Sequence, residues 1–146
     1  MKKLFKVLVL SFVIVSYSTV ANAEDSTVTT AAEVSFDKVI SLEYNVGITV
    51  ISDEHKEHLN KIVGFMKENP ESTVRITGHT DQIGTPHQQE NKARARVENV
   101  INYLIEQDIS RDRIFFASSG GRAPIAPNDT EEGRKRNRRV EILINR

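Results

Sequence analysis

Two stretches with a helical apolar period, each followed by strand-like alternation, restrict this chain more than any other feature. Leu59, Ile62, Val63 and Met66 recur at i, i+3, i+4 and i+7, and Ala93, Val97, Val100, Ile101 and Leu104 form a second stripe of the same kind. Between and after them the period drops to two. Val74, Ile76 and Gly78 alternate over 73–79, Ile114, Phe115 and Phe116 mark a strand over 113–118, and Val140, Ile142 and Ile144 alternate into the last residues. A helix with one apolar face must bury it, and strands interleaved with helices supply the sheet that covers it. An imperfectly alternating strand over 34–44 completes the order β-α-β-α-β-(loop)-β. The expected fold is therefore α/β: a two-layer α/β sandwich with a four-stranded sheet packed by two main helices. The sheet should be mixed, because the final strands lack a long helix between them.

Local chemistry sets the boundaries. Ser52 is a natural N-cap with Asp53 and Glu54 in the first turn, and the helix ends before Asn69-Pro70. Thr85 caps the second helix, with Pro86 at its first position and Gln88 at the capping-box partner position. Residues 45–51 are ambiguous, since β-branched residues favour strand while Gly47 favours a turn. Ser119-Gly120-Gly121 reads as a turn, and 123–138 as loop with one helical turn over 130–135.

The first residues belong to another class. Lys2, Lys3 and Lys6 precede an apolar run over 7–20, and Ala21-Asn22-Ala23 has the small-x-small pattern of a signal peptidase site. Residues 1–23 are expected to be a cleaved export signal, with 24–33 a polar, aperiodic leader and 34–146 the folded domain. Serines and a tyrosine dilute the apolar run below the roughly 18–20 residues of a spanning helix. The whole chain has 20 Lys plus Arg and 20 Asp plus Glu; cleavage after Ala23 removes three lysines and leaves 17 against 20, a net charge of −3. An exported, mildly acidic protein is a poor partner for nucleic acid, even though residues 134–139 are rich in arginine. Zero cysteines exclude a disulfide framework, a thiolate nucleophile, Cys-ligated zinc and lipid attachment through cysteine.

Catalytic patterns are absent. No serine stands in a Gly-x-Ser-x-Gly elbow, and His55 and His58, three apart on the first helix, lack the His-Glu-x-x-His pattern and read as a solvated face. His79 reads as a strand-end residue with local hydrogen bonds. Asn128-Asp129-Thr130 fits both a glycosylation acceptor and a capping turn. Two groups remain. Asp81 stands where a strand ends, at a position that also suits capping of backbone amides. Arg96 flanks the buried stripe of the second helix, where a guanidinium is costly unless paired, whereas Arg94 points toward water. By alternation Arg138 falls on the inward side and Arg139 opposite the Val140 face. A carboxylate beside a guanidinium suits a zwitterion: the first accepts an ammonium, and the second holds a carboxylate through two parallel hydrogen bonds.

Gly78-His79-Thr80-Asp81, Gly84, the Arg96 helix, Ile109-Ser110-x-x-Arg113-Ile114, Pro124, Asn128-x-Thr130, Gly133-Arg134 and Asn137-Arg138-Arg139-Val140-Glu141-Ile142 together resemble the OmpA-like peptidoglycan-associated domain of OmpA-type porins, Pal lipoproteins and MotB. The resemblance covers about residues 34–146. It implies a noncatalytic domain, with no cofactor or metal, that holds the meso-diaminopimelate of the peptidoglycan stem peptide. On that resemblance Asp81 grips the ammonium and Arg96 the carboxylate, with Thr80 and Arg138 matching helper positions. Asn45 corresponds to the asparagine after the first strand, with two extra residues following it here, and Gln89 replaces an asparagine that lines the family's pocket. Gln88, Lys92 and Ala93 also depart from the family's pattern. The expected setting is the periplasm of a Gram-negative-type envelope, without a membrane span in the mature form and with an envelope protein linking it to the outer membrane. A second expectation is an adaptor that keeps the fold for protein contacts while its pocket is degenerate.

Overall fold

The computed structural model describes residues 39–146. The expected signal, the leader and the 34–38 portion of the first strand lie outside the described residues. Within them the chain runs through β1 (Ile40–Glu43), α1 (Asp53–Glu68), β2 (Thr73–His79), α2 (Pro86–Glu106), a 3₁₀ turn (Arg111–Arg113), β3 (Ile114–Gly120), α3 (Glu131–Asn137) and β4 (Arg139–Asn145).

The four strands form one mixed sheet in the order β1-β4-β2-β3. The helix α2 is the crossover that lets β2 and β3 run parallel, with Val74 opposite Ile114 and Ile76 opposite Phe116. The last strand, β4, enters between β1 and β2 and is antiparallel to both, pairing Leu42 with Val140 and Ile76 with Ile142. Because side chains alternate across a strand, Leu42, Val74, Ile76, Ile114, Val140, Ile142 and Ile144 all face one side. There they meet Leu59, Ile62 and Met66 of α1 and Val97, Val100 and Leu104 of α2 in one buried core. The expected two-layer α/β sandwich with a mixed four-stranded sheet is what the chain forms.

Both predicted caps are present, and each is a full capping box: Ser52 accepts from the His55 amide and Thr85 from the Gln88 amide. His55 departs from the solvated face expected for it. It is buried, its Nδ1 accepts from the Ser52 amide, its Nε2 lies 2.8 Å from the Glu43 carbonyl, and its ring packs against Tyr44. Residues 45–51 resolve as a turn, with Gly47 at φ +71° in the left-handed region that L side chains avoid. The third strand continues through Gly120, into the turn expected over 119–121, because a register shift between Gly78 and His79 lets Gly120 pair with His79. The single helical turn expected over 130–135 is a two-turn helix.

Helix and sheet approach closely at Gly78, where an added Cβ would lie 2.6 Å from both the Ala93 carbonyl oxygen and Val97 Cγ2. The missing side chain lets α2 sit directly on β2, one turn before Arg96. Gly78→Ala is expected to cost about 1–3 kcal/mol as overpacking. Urea denaturation checks this; an unchanged midpoint would show that α2 shifts freely.

Candidate functional site

Four of the predicted residues gather where β2 runs into α2. The Thr80 amide donates to the Gly120 carbonyl at 2.9 Å, which extends the pairing of β2 with β3 and fixes the direction in which Asp81 leaves the sheet. Asp81 is 4% exposed. Its Oδ1 accepts from the Ile83 amide at 3.3 Å and its Oδ2 from Arg138 Nη1 at 2.9 Å. The loop beyond turns at Gly84, φ +93°, and is tied down by Gln89 Nε2 donating to the Gly84 carbonyl and by the Gln82 amide donating to Asn128 Oδ1.

Arg138 enters from the junction of α3 and β4, at the C-cap of α3. Three acceptors hold its guanidinium: the Tyr44 carbonyl on Nε (3.1 Å), Asp81 Oδ2 on Nη1, and Glu131 Oε1 on Nη2 (2.6 Å). Burial works against its charge, but the hydrogen bonds it donates to Asp81 and Glu131 prevail and raise its pKa. Glu131 is exposed, and the Arg138 hydrogen bond holds its carboxyl below the ordinary range.

Arg96 reaches the same cluster from α2 and is fully buried. Its Nε donates to the Ile48 carbonyl at 3.0 Å, and its Nη1 to the His79 carbonyl at 3.2 Å and Thr80 Oγ1 at 3.4 Å. The Tyr44 ring lies 5.1 Å from its guanidinium carbon, within cation–π range. Burial lowers the Arg96 pKa, opposed by Tyr44 and Asp81, while burial pushes the Tyr44 phenol up to about 12. The acid and the base thus share one neighbourhood without touching. Asp81 pairs with Arg138, and Arg96 bonds the backbone and hydroxyl of the residues just before Asp81. These bonds run through Nε and Nη1 of Arg96. Tyr44 also borders a cleft of about 370 Å³ lined by Asn45, Ile48, Val50 and the first turns of α1; Asp81, Thr80, Arg96 and Arg138 do not line it.

Asp81, Thr80, Arg96 and Arg138 are therefore brought together. Asn45 is exposed in the turn after β1, where its carbonyl accepts from the Ile48 amide. Gln89 spends its amide on Gly84, and its Oε1 would lie 2.5 Å from a Cβ on Gly121. Tyr44, the Ile48 carbonyl and Glu131 belong to the cluster without having been expected there.

His79 departs from the local hydrogen bonds expected for it, while Arg139 lies opposite the Val140 face as alternation places it. They lie on the sheet face away from the helices, yet both are buried. Arg139 is clasped by Glu141 Oε1 at 2.7 Å and donates to the Ala123 carbonyl, leaving Nη1 without a partner among the described residues. The side chain of His79 makes no local hydrogen bond; Glu141 Oε2 is 3.5 Å from its Nε2, at the limit of an ion pair and too long for a firm hydrogen bond. Burial and the neighbouring Arg139 depress the His79 pKa below its ordinary 6.5, and Glu141 opposes them only in part. The folded state therefore resists protonation. Stability from this group is complete above 6.5 and falls as pH drops from 6.5 toward the depressed folded value. Denaturation at about pH 7.5 and about pH 5.5 should show a loss in the wild type that is smaller in His79→Gln; equal losses would remove His79 as the cause.

Among the described residues no helix is long and apolar enough to cross a membrane, and no cluster of three or more His, Asp or Glu could hold a metal. The fold is that of a solved structure, the peptidoglycan-associated lipoprotein of Burkholderia pseudomallei, with a TM-score of 0.69 at 22% identity over 72% of this chain and 89% of that one. The chain belongs to the OmpA family, which it matches over residues 44–138. It is 36% identical over 101 residues to peptidoglycan-binding protein ArfA of Mycobacterium tuberculosis, covering 69% of this chain and 31% of ArfA. It is 32% identical over 114 residues to outer membrane protein A of Bordetella avium, covering 78% of this chain and 58% of that protein. The chain thus spans about a third of the length of ArfA.

Proposed function

We propose that this domain binds peptidoglycan without catalysing a reaction on it, gripping the free zwitterionic end of diaminopimelate in the stem peptide. Asp81 receives the ammonium and Arg96 the carboxylate; Thr80 and Arg138 fix the two groups, and Asn45 and Gln89 border the site. The setting is the periplasm, reached by export and removal of residues 1–23, with an envelope protein as the link to the outer membrane.

The observation that carries this reading is the incomplete use of the two charged groups. In one buried cluster, among the described residues, Asp81 Oδ1 has one long bond, from Ile83 at 3.3 Å, and Arg96 reaches Thr80 Oγ1 only at 3.4 Å. A buried carboxylate and a buried guanidinium with bonding capacity to spare are suited to a ligand that carries both complements. The relative ArfA is named for peptidoglycan binding, which supports the same ligand class.

Co-sedimentation of the mature protein with purified sacculi tests it. The protein is expected in the pellet and to be released by free meso-diaminopimelate. Protein that stays in the supernatant, and instead crosslinks to an envelope protein through a contact surviving Asp81→Asn, would establish the adaptor role and refute the proposal. The mass of the mature protein, expected to begin at Glu24, checks the export signal.

A further inference from the structure

Arg138 is a cation already seated on the carboxylate that is to receive the ligand's ammonium. A guanidinium beside a carboxylate ordinarily uses two parallel N–H bonds, which would occupy both oxygens. Here only one arm engages. Nη1 reaches Asp81 Oδ2 at 2.9 Å, while Nη2 turns the other way to Glu131 Oε1 at 2.6 Å. The carboxylate of Glu131 is itself aimed by Arg134, whose Nε and Nη2 both lie 3.0 Å from Oε2, leaving Oε1 toward Arg138. Positive and negative groups therefore alternate from Arg134 through Glu131 and Arg138 to Asp81.

We propose that Glu131 is a specificity-determining positioning residue: by holding the second arm of Arg138 it keeps Asp81 Oδ1 open to an ammonium and makes the site select a zwitterion over a plain dicarboxylate. This rests on the function proposed above and extends it to a residue outside the family motif. Two carboxylates, Asp81 and Glu131, face three guanidiniums, Arg96, Arg134 and Arg138, so Glu131 supplies half of the local negative charge. Without Glu131 the cluster becomes more positive, and Arg138 is free to fork onto both oxygens of Asp81. A carboxylate would still be welcome at Arg96. An ammonium would find its acceptor covered.

The test uses the mature chain and two ligands of equal length, meso-diaminopimelate and pimelate, the second lacking both ammonium groups. In Glu131→Gln, calorimetry is expected to show diaminopimelate affinity reduced about tenfold or more and pimelate affinity unchanged or improved, with Glu131→Asp restoring part of the difference. A crystal structure of Glu131→Gln should show both Nη atoms of Arg138 on Asp81. Equal loss for both ligands would mean that Glu131 merely supports the fold, and would overturn the proposal. So would unchanged diaminopimelate affinity, or an Arg138 that keeps one arm off Asp81 in the variant. Failure of the wild type to bind diaminopimelate defeats the proposed function itself, and is told apart from failure of this inference because the latter leaves wild-type binding intact.

Discussion

Arg96→Ala is expected to lower the melting temperature and abolish ligand binding together. The side chain is fully buried, so its removal opens a cavity beneath the turn after β1 and takes three hydrogen bonds with it. The Ile48 carbonyl, partly buried, and the His79 carbonyl, in a buried bond, lose a charged donor, and a buried acceptor left without a partner costs about 1–3 kcal/mol. Loss of the buried charge offsets part of this, because its desolvation cost disappears. The net effect should be about 2–4 kcal/mol, or roughly 10–20 °C in a domain of this size. Arg96→Lys separates the two consequences. It retains the stem and charge, and should recover much of the stability, but it cannot present a planar fork to a carboxylate. Calorimetric melting with binding measured on both variants checks this; a lysine variant that binds as well as wild type would show that Arg96 does not hold the ligand's carboxylate.

Asp81→Asn is expected to show the reverse balance, with binding lost and folding kept. The substitution preserves shape and an oxygen able to accept from Arg138 Nη1, and Arg138 keeps its bonds to Glu131 and the Tyr44 carbonyl. Stability should therefore fall by only about 1–2 kcal/mol. An ammonium ligand loses its anionic partner in a site shielded from water, which costs on the order of 2–5 kcal/mol, a reduction in affinity of at least about 30-fold. Sacculus co-sedimentation of a variant whose circular dichroism matches wild type measures the effect. Retention at the wild-type level would exclude Asp81 from the contact.

What could be read from the sequence follows from which forces hold each part. The helices α1 and α2 and the strands β2 and β4 bury apolar stripes, and a stripe leaves a period that can be counted. Asp81 and Arg96 were legible for the same reason: one ends a strand whose alternation is clear, and the other sits beside a stripe where a charge stands out. The short helix α3 left no such trace. Its buried residues are Gly133 and Asn137. Asn137 secures it by accepting from the Ile125 and Ala126 amides and donating to the Ala126 carbonyl. The contact at Gly133 is so close that a Cβ there would lie 1.9 Å from the Pro127 carbonyl oxygen. A helix docked by side-chain amides and a close backbone contact has no apolar period, so Glu131 stayed hidden with it. The open sheet face misled for a related reason. Alternation correctly set Arg139 opposite Val140, but pairing with Glu141 and the Ala123 carbonyl buries it there, and burial through charge pairing is invisible to a hydrophobic pattern.

Diffraction from crystals of the domain soaked with meso-diaminopimelate tests most directly whether one ligand bridges the carboxylate leaving β2 and the guanidinium arriving from α2. The expected result is an ammonium nitrogen within hydrogen-bond distance of Asp81 Oδ1 and a carboxylate of the same amino-acid end on Arg96 Nη2, with Arg138 still extended toward Glu131. Density for the ligand away from both side chains, or an Arg96 still enclosed by Ile48, His79 and Thr80 with no ligand oxygen in reach, would contradict it.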